Sequence, residues 1–218
     1  MIIAIDGPSG SGKSTLGRML ARELNLLYLD TGSMYRAVAL ATIEARIDPA
    51  DKEAVVTVAE IAEIDLEGDP DSLKVSLNDR DVTEEIRTET VTEMSSVVST
   101  IPGVRRAMVA RQREMGQRGA VLNGRDIGTV VFPDADIKFF LTAAPEERAE
   151  RRFKEDLLTN SGVSFEQTLS EMTERDRRDS TRADSPLKIA DDAIVIDSSG
   201  LTIDQVFARM MEYVHRHH

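Results

Sequence analysis

Cysteine is absent from this 218-residue chain. That excludes a disulfide framework, a thiolate metal site and a thiol nucleophile. No apolar run approaches the ~20 residues that a membrane-spanning helix needs. The chain opens on Met1 and enters an apolar strand with no basic leader and no signal-peptide core, so a soluble, cytoplasmic protein that touches no membrane is expected. Excess positive charge is lacking too. The formal net charge is −12, and a polynucleotide partner, which needs a basic surface to displace counterions from phosphates, is not expected. Of the 27 basic residues 21 are Arg, whose planar fork suits bidentate capture of a small phosphate or carboxylate. They concentrate in residues 105–125 and 148–182, and this clustering favours binding over a merely solvated surface.

At 41% hydrophobic and 30% charged residues, the composition is that of an ordinary globular chain long enough to bury a core. Ile2-Ile3-Ala4-Ile5 reads as a strand buried on both faces and runs into a Gly-rich turn. Leu16, Met19, Leu20 and Leu24 follow at helical spacing, and a second apolar run, Leu26 to Leu29, ends on Asp30; together these form a βαβ unit. Helices are expected over about 33–46, 52–64, 88–99, 102–117, 145–158, 164–181 and 202–214, and strands over 120–122, 137–141 and 193–196. Alternating Leu73, Val75 and Leu77 before Asn78-Asp79 predict a hairpin continuing through Val82. The sum is an α/β protein with a small β insertion.

The strongest local motif runs from Gly7 through Pro8, Ser9, Gly10, Ser11 and Gly12 to Lys13 and Ser14, and it fits G-x-x-x-x-G-K-[ST] between a strand and a helix. Backbone N–H groups of such a loop converge on phosphate oxygens, and the helix N-terminus adds partial positive charge. Lys13 is placed to bridge the β- and γ-phosphates of ATP, and Ser14 to ligate Mg²⁺. Thr15 completes the expected ATP-binding set. Asp65-Leu-Glu-Gly68 fits the D-x-x-G of GTPases, but no N-K-x-D accompanies it, and it reads as a turn. No long apolar strand closes on an acidic pair, as an ATPase motor would want. A small-molecule kinase remains.

Three further segments resemble the signatures of bacterial cytidylate kinases: Asp30 to Arg36 (DTGSMYR), Gly124 to Asp134 (GRDIGTVVFPD) and Glu174 to Arg182 (ERDRRDSTR). With the phosphate loop they span nearly the whole chain. The β insertion also resembles the enlarged acceptor domain of that family. The resemblance implies a P-loop nucleoside monophosphate kinase fold, with a five-stranded parallel sheet core, an acceptor-binding insertion and a short lid. Residues 1–30, 96–145 and 183–218 are expected to form the core. Residues 31–95 would form the acceptor domain, with its β insertion at about 65–87, and 146–182 the lid and an acceptor-contacting helix. It also implies transfer of the γ-phosphoryl group of ATP to CMP, and to dCMP, with Mg²⁺; a monomer is expected.

The resemblance assigns Arg36 and Arg125 to the acceptor phosphate. It assigns Asp126 and Arg105, with Thr31 and Arg182, to the cytosine, and Ser96 to the ribose. N-capping of the following helix is the competing role for Thr31, and Ser33 competes for that in turn. Arg175, Asp179 and Arg182 are spaced i, i+4, i+7 on one helical face. Pairing of Arg175 with Asp179 is expected to orient Asp179 toward the ribose hydroxyls. Arg148, Arg151 and Arg152 begin the lid, where they can neutralise transferring charge, although solvated helix charge describes any one of them equally well. Lys13, Arg125, Arg148 and Arg152 form the expected catalytic set.

One position departs from the family pattern. Asn123 stands where an acidic residue usually precedes Gly-Arg-Asp, and an amide cannot supply that charge to Mg²⁺. The C-terminal His215-Arg-His-His218 reads as frayed terminus rather than a metal site. Kinases for UMP, AMP or a hydroxylated metabolite such as shikimate, and a nucleotide-sensing module without turnover, remain alternatives.

Overall fold

A computed structural model describes residues 1–158 and 162–217 of the chain. Residues 159–161 of the expected lid and His218 of the terminal histidines lie outside the described residues. In chain order the elements begin with β1 (Ile2–Asp6), α1 (Lys13–Glu23), β2 (Leu27–Asp30), α2 (Thr31–Glu44) and α3 (Lys52–Ile61). Next come β3 (Ile64–Glu67), β4 (Lys74–Leu77), β5 (Arg80–Asp81), α4 (Glu89–Val98) and α5 (Pro102–Gly116). The chain continues through β6 (Ala120–Gly124), β7 (Ile137–Thr142), α6 (Pro145–Leu158), α7 (Phe165–Thr181), β8 (Ile194–Asp197) and α8 (Ile203–His217).

Five strands form one parallel sheet in the order β2-β6-β1-β7-β8. Side chains alternate across a strand, and β1 serves two cores accordingly. Ala4 packs with Leu29, Met34, Val104, Met108 and Leu122 on the side of α2 and α5. Ile3 and Ile5 pack with Leu16, Leu20, Phe139 and Met210 on the side of α1 and α8. Such fully buried side chains each contribute about 1.5–3 kcal/mol, which explains why β1 and β6 carry almost unbroken apolar runs. The register sets Asp6 beside Gly124 and Asp30 beside Asn123. The carboxyl ends of β1, β2 and β6 thus form one polar edge above an apolar sheet, where ligands of open α/β sheets bind.

The insertion differs from the expectation in one strand. Asn78 and Asp79, with φ of 49° and 63°, make the tight turn between β4 and β5, as the sequence predicts. Asp65, Leu66 and Glu67, read above as a turn, belong to β3, which pairs antiparallel with β4. Helix α3 consequently stops at Ile61 instead of reaching 64. The apolar pattern of α3 runs on into Ile64 and Leu66, both 5% exposed, so period alone cannot find the boundary.

Candidate functional site

The phosphate loop leaves β1 and enters α1. Gly7 has φ +147°, and a Cβ there would lie 2.1 Å from the Leu141 carbonyl oxygen, so only glycine lets the loop pass the neighbouring strand. Gly12, left-handed at φ 90°, is the N-cap of α1, and the first turn of the helix holds no acidic side chain. The positive end of the helix dipole therefore faces the loop uncompensated. Lys13 is 6% exposed. Its Nζ donates to the Pro8 carbonyl at 2.5 Å and lies 3.4 Å from Ser11 Oγ. Burial pushes its pKa well below the ordinary lysine range, and the positive charges of Arg125 and Arg175 push the same way. Ser14 and Thr15 are exposed on the first turn of α1.

Across this turn stand the ends of β2 and β6. Asp30, and neither Thr31 nor Ser33, caps α2: its Oδ1 accepts from Gly32 N at 3.1 Å and its Oδ2 from Ser33 Oγ at 2.9 Å. Such a cap is worth about 0.5–2 kcal/mol. Arg36, one turn into α2, donates to Asp30 Oδ2 at 3.3 Å and to Ser33 Oγ at 2.9 Å. Asn123, 4% exposed, donates through Nδ2 to Ser14 Oγ at 3.2 Å and to Asp30 Oδ1 at 3.4 Å. Its Oδ1 is buried without a hydrogen-bond partner.

Guanidinium groups surround the space beyond Lys13. Arg125 Nε donates to Asp179 Oδ2 at 2.8 Å, so Asp179 pairs with Arg125 and not, as the spacing suggested, with Arg175. Arg175 has no ion pair within 4.0 Å among the described residues, and burial and the charge of Arg125 lower its pKa to about 10. Burial works against the charge of Asp179, but Arg125 and Arg175 prevail and hold its carboxyl below the usual range. Mutual repulsion among Lys13, Arg125 and Arg175 marks a place where an anion is welcome.

A second polar cluster lies two residues past the end of β6. Asp126, 5% exposed, meets Arg105, 2% exposed, through an Nη2–Oδ2 bond of 2.5 Å. Asp126 Oδ1 lies 3.7 Å from Arg182 Nη2, and Arg182 Nη1 lies 3.6 Å from Asp179 Oδ1. Arg182 is the C-cap of α7, one residue beyond the helix, so the expected three-residue helical face ends in an extended residue. Arg105 Cζ sits 5.4 Å from the centre of the Tyr35 ring. Arg105 Nε, Arg182 Nη2 and the Tyr35 hydroxyl are buried with no hydrogen-bond partner, leaving unmet donors around one carboxylate.

The remaining expected residues are placed otherwise. Thr31 Oγ1 donates to the Asn123 carbonyl at 2.9 Å, binding β2 to β6. Ser96 Oγ donates to the Thr92 carbonyl of its own helix at 3.3 Å. Arg148, 6% exposed, turns to the phosphate loop and donates to the Ser9 carbonyl at 2.9 Å and to Asp176 at 2.6 Å. Arg151 holds Ser198 at the end of β8, and Arg152, about half exposed, lies 3.6 Å from Glu155. His215 is exposed, and among the described residues no group of three His, Asp or Glu side chains could hold a metal ion.

Three residues of the site were not singled out from sequence. Asp6 accepts from Ile127 N and Gly128 N at 2.8 Å each and so fixes the segment after Asp126 to the end of β1. Burial pushes its carboxyl up to about 6 despite these two bonds. Tyr35 and Asp176 are the others. Tyr35 and Asp176 stood inside quoted motifs and Asp6 directly before the phosphate loop, which was the available signal.

A strand–loop–helix phosphate cradle, ringed by guanidinium groups above a five-stranded parallel sheet, defines a P-loop phosphotransferase. The profile of the cytidylate kinase family matches residues 3–216. The chain is 51% identical to a cytidylate kinase of Desulforamulus reducens, over 98% of this chain and 96% of that one. It is 46% identical to one of Carboxydothermus hydrogenoformans, over 99% and 98%. In fold it is similar to an uncharacterized protein of Eubacterium ventriosum known from a crystal structure, with TM-score 0.53, 13% identity and coverage of 99% and 98%. The chain belongs to the cytidylate kinase family. No helix among the described residues is long and apolar enough to cross a membrane.

Proposed function

We propose that the chain transfers the γ-phosphoryl group of ATP to CMP, giving ADP and CDP, with the residues described above in the following roles. The observation that carries the acceptor assignment is the buried Asp126, held by Arg105 and flanked by Arg182 beside the phosphate loop. Cytosine presents an exocyclic amine donor beside two ring acceptors. Asp126 Oδ1 receives the amine, and the unmet guanidinium donors serve the ring. Arg36 and Arg125 take the acceptor phosphate, Arg175 adds charge, and Asp179 faces the ribose while holding Arg125. Residues 31–95 act as the acceptor domain and 146–182 as the lid.

On the donor side, the loop from Gly7 to Thr15 cradles the ATP phosphates and Lys13 moves from the Pro8 carbonyl to them. The acceptor oxygen is already an anion, so no general base is required. Positioning in line and neutralisation of charge do the chemistry. Ser14 Oγ and Asp30 meet at the Asn123 amide, whose Nδ2 faces both while Oδ1 is left without a partner; with the amide turned over, three oxygens would converge there and suit a hard divalent cation. Mg²⁺ bound there would spread the charge of the transferring group. Asp30, in contact with the Asn123 amide, supplies the carboxylate that Asn123 lacks. ADP release from ATP over a panel of CMP, dCMP, UMP, AMP and shikimate tests the reading. CMP is expected to turn over fastest, and a preference for any acceptor without cytosine overturns it.

A further inference from the structure

Asp176 stands between Arg175 and Asp179 on α7 but turns toward the donor side. Its Oδ1 accepts from the Ser9 amide at 3.3 Å and its Oδ2 from Arg148 Nη1 at 2.6 Å. The same Nη1 donates to the Ser9 carbonyl at 2.9 Å, while Arg148 Nε holds the Ala143 carbonyl past the end of β7 at 3.0 Å. Both polar groups of the Ser9 backbone are therefore held by side chains from α6 and α7. Gly10 reinforces the grip. It has φ +71°, and a Cβ there would fall 2.7 Å from the Arg148 carbonyl oxygen and 2.9 Å from Met172 Cε. The tip of the phosphate loop is thus packed directly on α6 and α7.

Asp179 follows Asp176 by three residues, one turn of a rigid helix. One turn of α7 therefore carries a carboxylate that holds the phosphate loop and another that holds Arg125 at 2.8 Å. The Arg148–Asp176 pair is shielded, with side chains 8% and 18% exposed, so water screens it little and its charge-assisted bonds are strong. Any rearrangement of the loop around ATP acts on Asp176, and α7 carries it to Arg125 and Arg182.

We propose that Asp176 is a positioning residue that couples the ATP site to the acceptor site through α7, an inference that rests on the phosphoryl-transfer reading above. Coupling between two sites is reciprocal, so bound ATP tightens CMP and bound CMP tightens ATP by the same factor. Asp176→Asn turns an amide donor toward Arg148 or toward the Ser9 amide, whichever way it lies, and breaks the clamp. Asp176→Glu keeps the charge for Arg148 and displaces it by one methylene.

Isothermal titration of CMP into the intact chain, with and without a saturating non-hydrolysable ATP analogue and Mg²⁺, reads this coupling. In the wild type the analogue is expected to tighten CMP by about 5-fold or more. In Asp176→Asn the ratio falls toward one, while CMP alone binds within about twofold of wild type and the KM for ATP rises. Asp176→Glu keeps an intermediate ratio and shows the effect even if the Asn variant does not fold. A wild type that binds CMP without coupling, or variants that keep the full ratio, overturn the inference and leave the functional reading standing. So does an Asn variant that weakens CMP alone as much as the ternary complex. A wild type that binds no CMP overturns the functional reading and this inference with it.

Discussion

Replacing Asp126 by Asn tests how the base is read. The carboxylate is 5% exposed; its Oδ2 is occupied by Arg105 at 2.5 Å, and its Oδ1 lies 3.7 Å from Arg182. Asn keeps the shape and removes the charge. Arg105 and Arg182 then lose a partner whichever acceptor is bound, so that cost falls on CMP and UMP alike and cancels in their ratio. What does not cancel is the contact with the base. The cytosine amine loses a charged acceptor worth about 1.5–3 kcal/mol, whereas the Asn amide can donate to uracil O4. At 1.36 kcal/mol per decade, the CMP to UMP ratio of kcat/KM is expected to fall about 10-fold or more. Acceptor kinetics on purified wild type and variant, with thermal melts as the check on folding, decide the matter. Equal losses for both acceptors would refute base reading by Asp126 and reduce it to the residue that holds Arg105.

Lys13→Ala is expected to lower kcat by about 10³-fold or more, since positioned charge dominates phosphoryl transfer. It should leave the melting temperature unchanged or raised, because Lys13 sits buried against Arg125 and Arg175; near-wild-type turnover would refute the loop assignment. Asp179→Ala is expected to narrow the preference for CMP over dCMP in a steady-state assay. Equal loss for the two would leave Asp179 as the partner of Arg125 only. Asp6 gives a pH signature. Its folded pKa of about 6 lies above the ordinary 3.8, so the folded state binds the extra proton between these values and stability is lost as pH rises through them. Relative to Asp6→Asn, the wild type should lose about 2 kcal/mol between pH 4 and 7. Denaturant unfolding at stepped pH measures it, and a flat difference would contradict the raised pKa.

The sequence by itself determined what depends on neighbours along the chain. Gly7 to Ser14 makes a phosphate loop from its own backbone. Ile3, Ala4 and Ile5 together declare a strand buried on both faces. Asn78-Asp79 adopts positive φ and turns a hairpin, and helix periodicity placed α5 and α7 within a residue or two of their ends. The segments that resemble cytidylate kinase signatures also carried Arg36, Arg125, Asp126 and Asp179, and it was that resemblance that pointed to them. Tertiary structure decided the partners. Asp126 meets Arg105 across 21 residues, and Asp179 chose Arg125, 54 residues away, over its own helix neighbour Arg175. Arg148 went to Ser9, 139 residues away. β3 exists only because β4 satisfies its backbone, and nothing within Asp65-Leu-Glu says so. A repeat of 2.0 or 3.6 residues fixes which face a side chain takes, but an ion pair depends on which faces the sheet order brings together. That order, with β6 between β1 and β2, is set by the burial of both sheet faces at once, a property that no single segment holds.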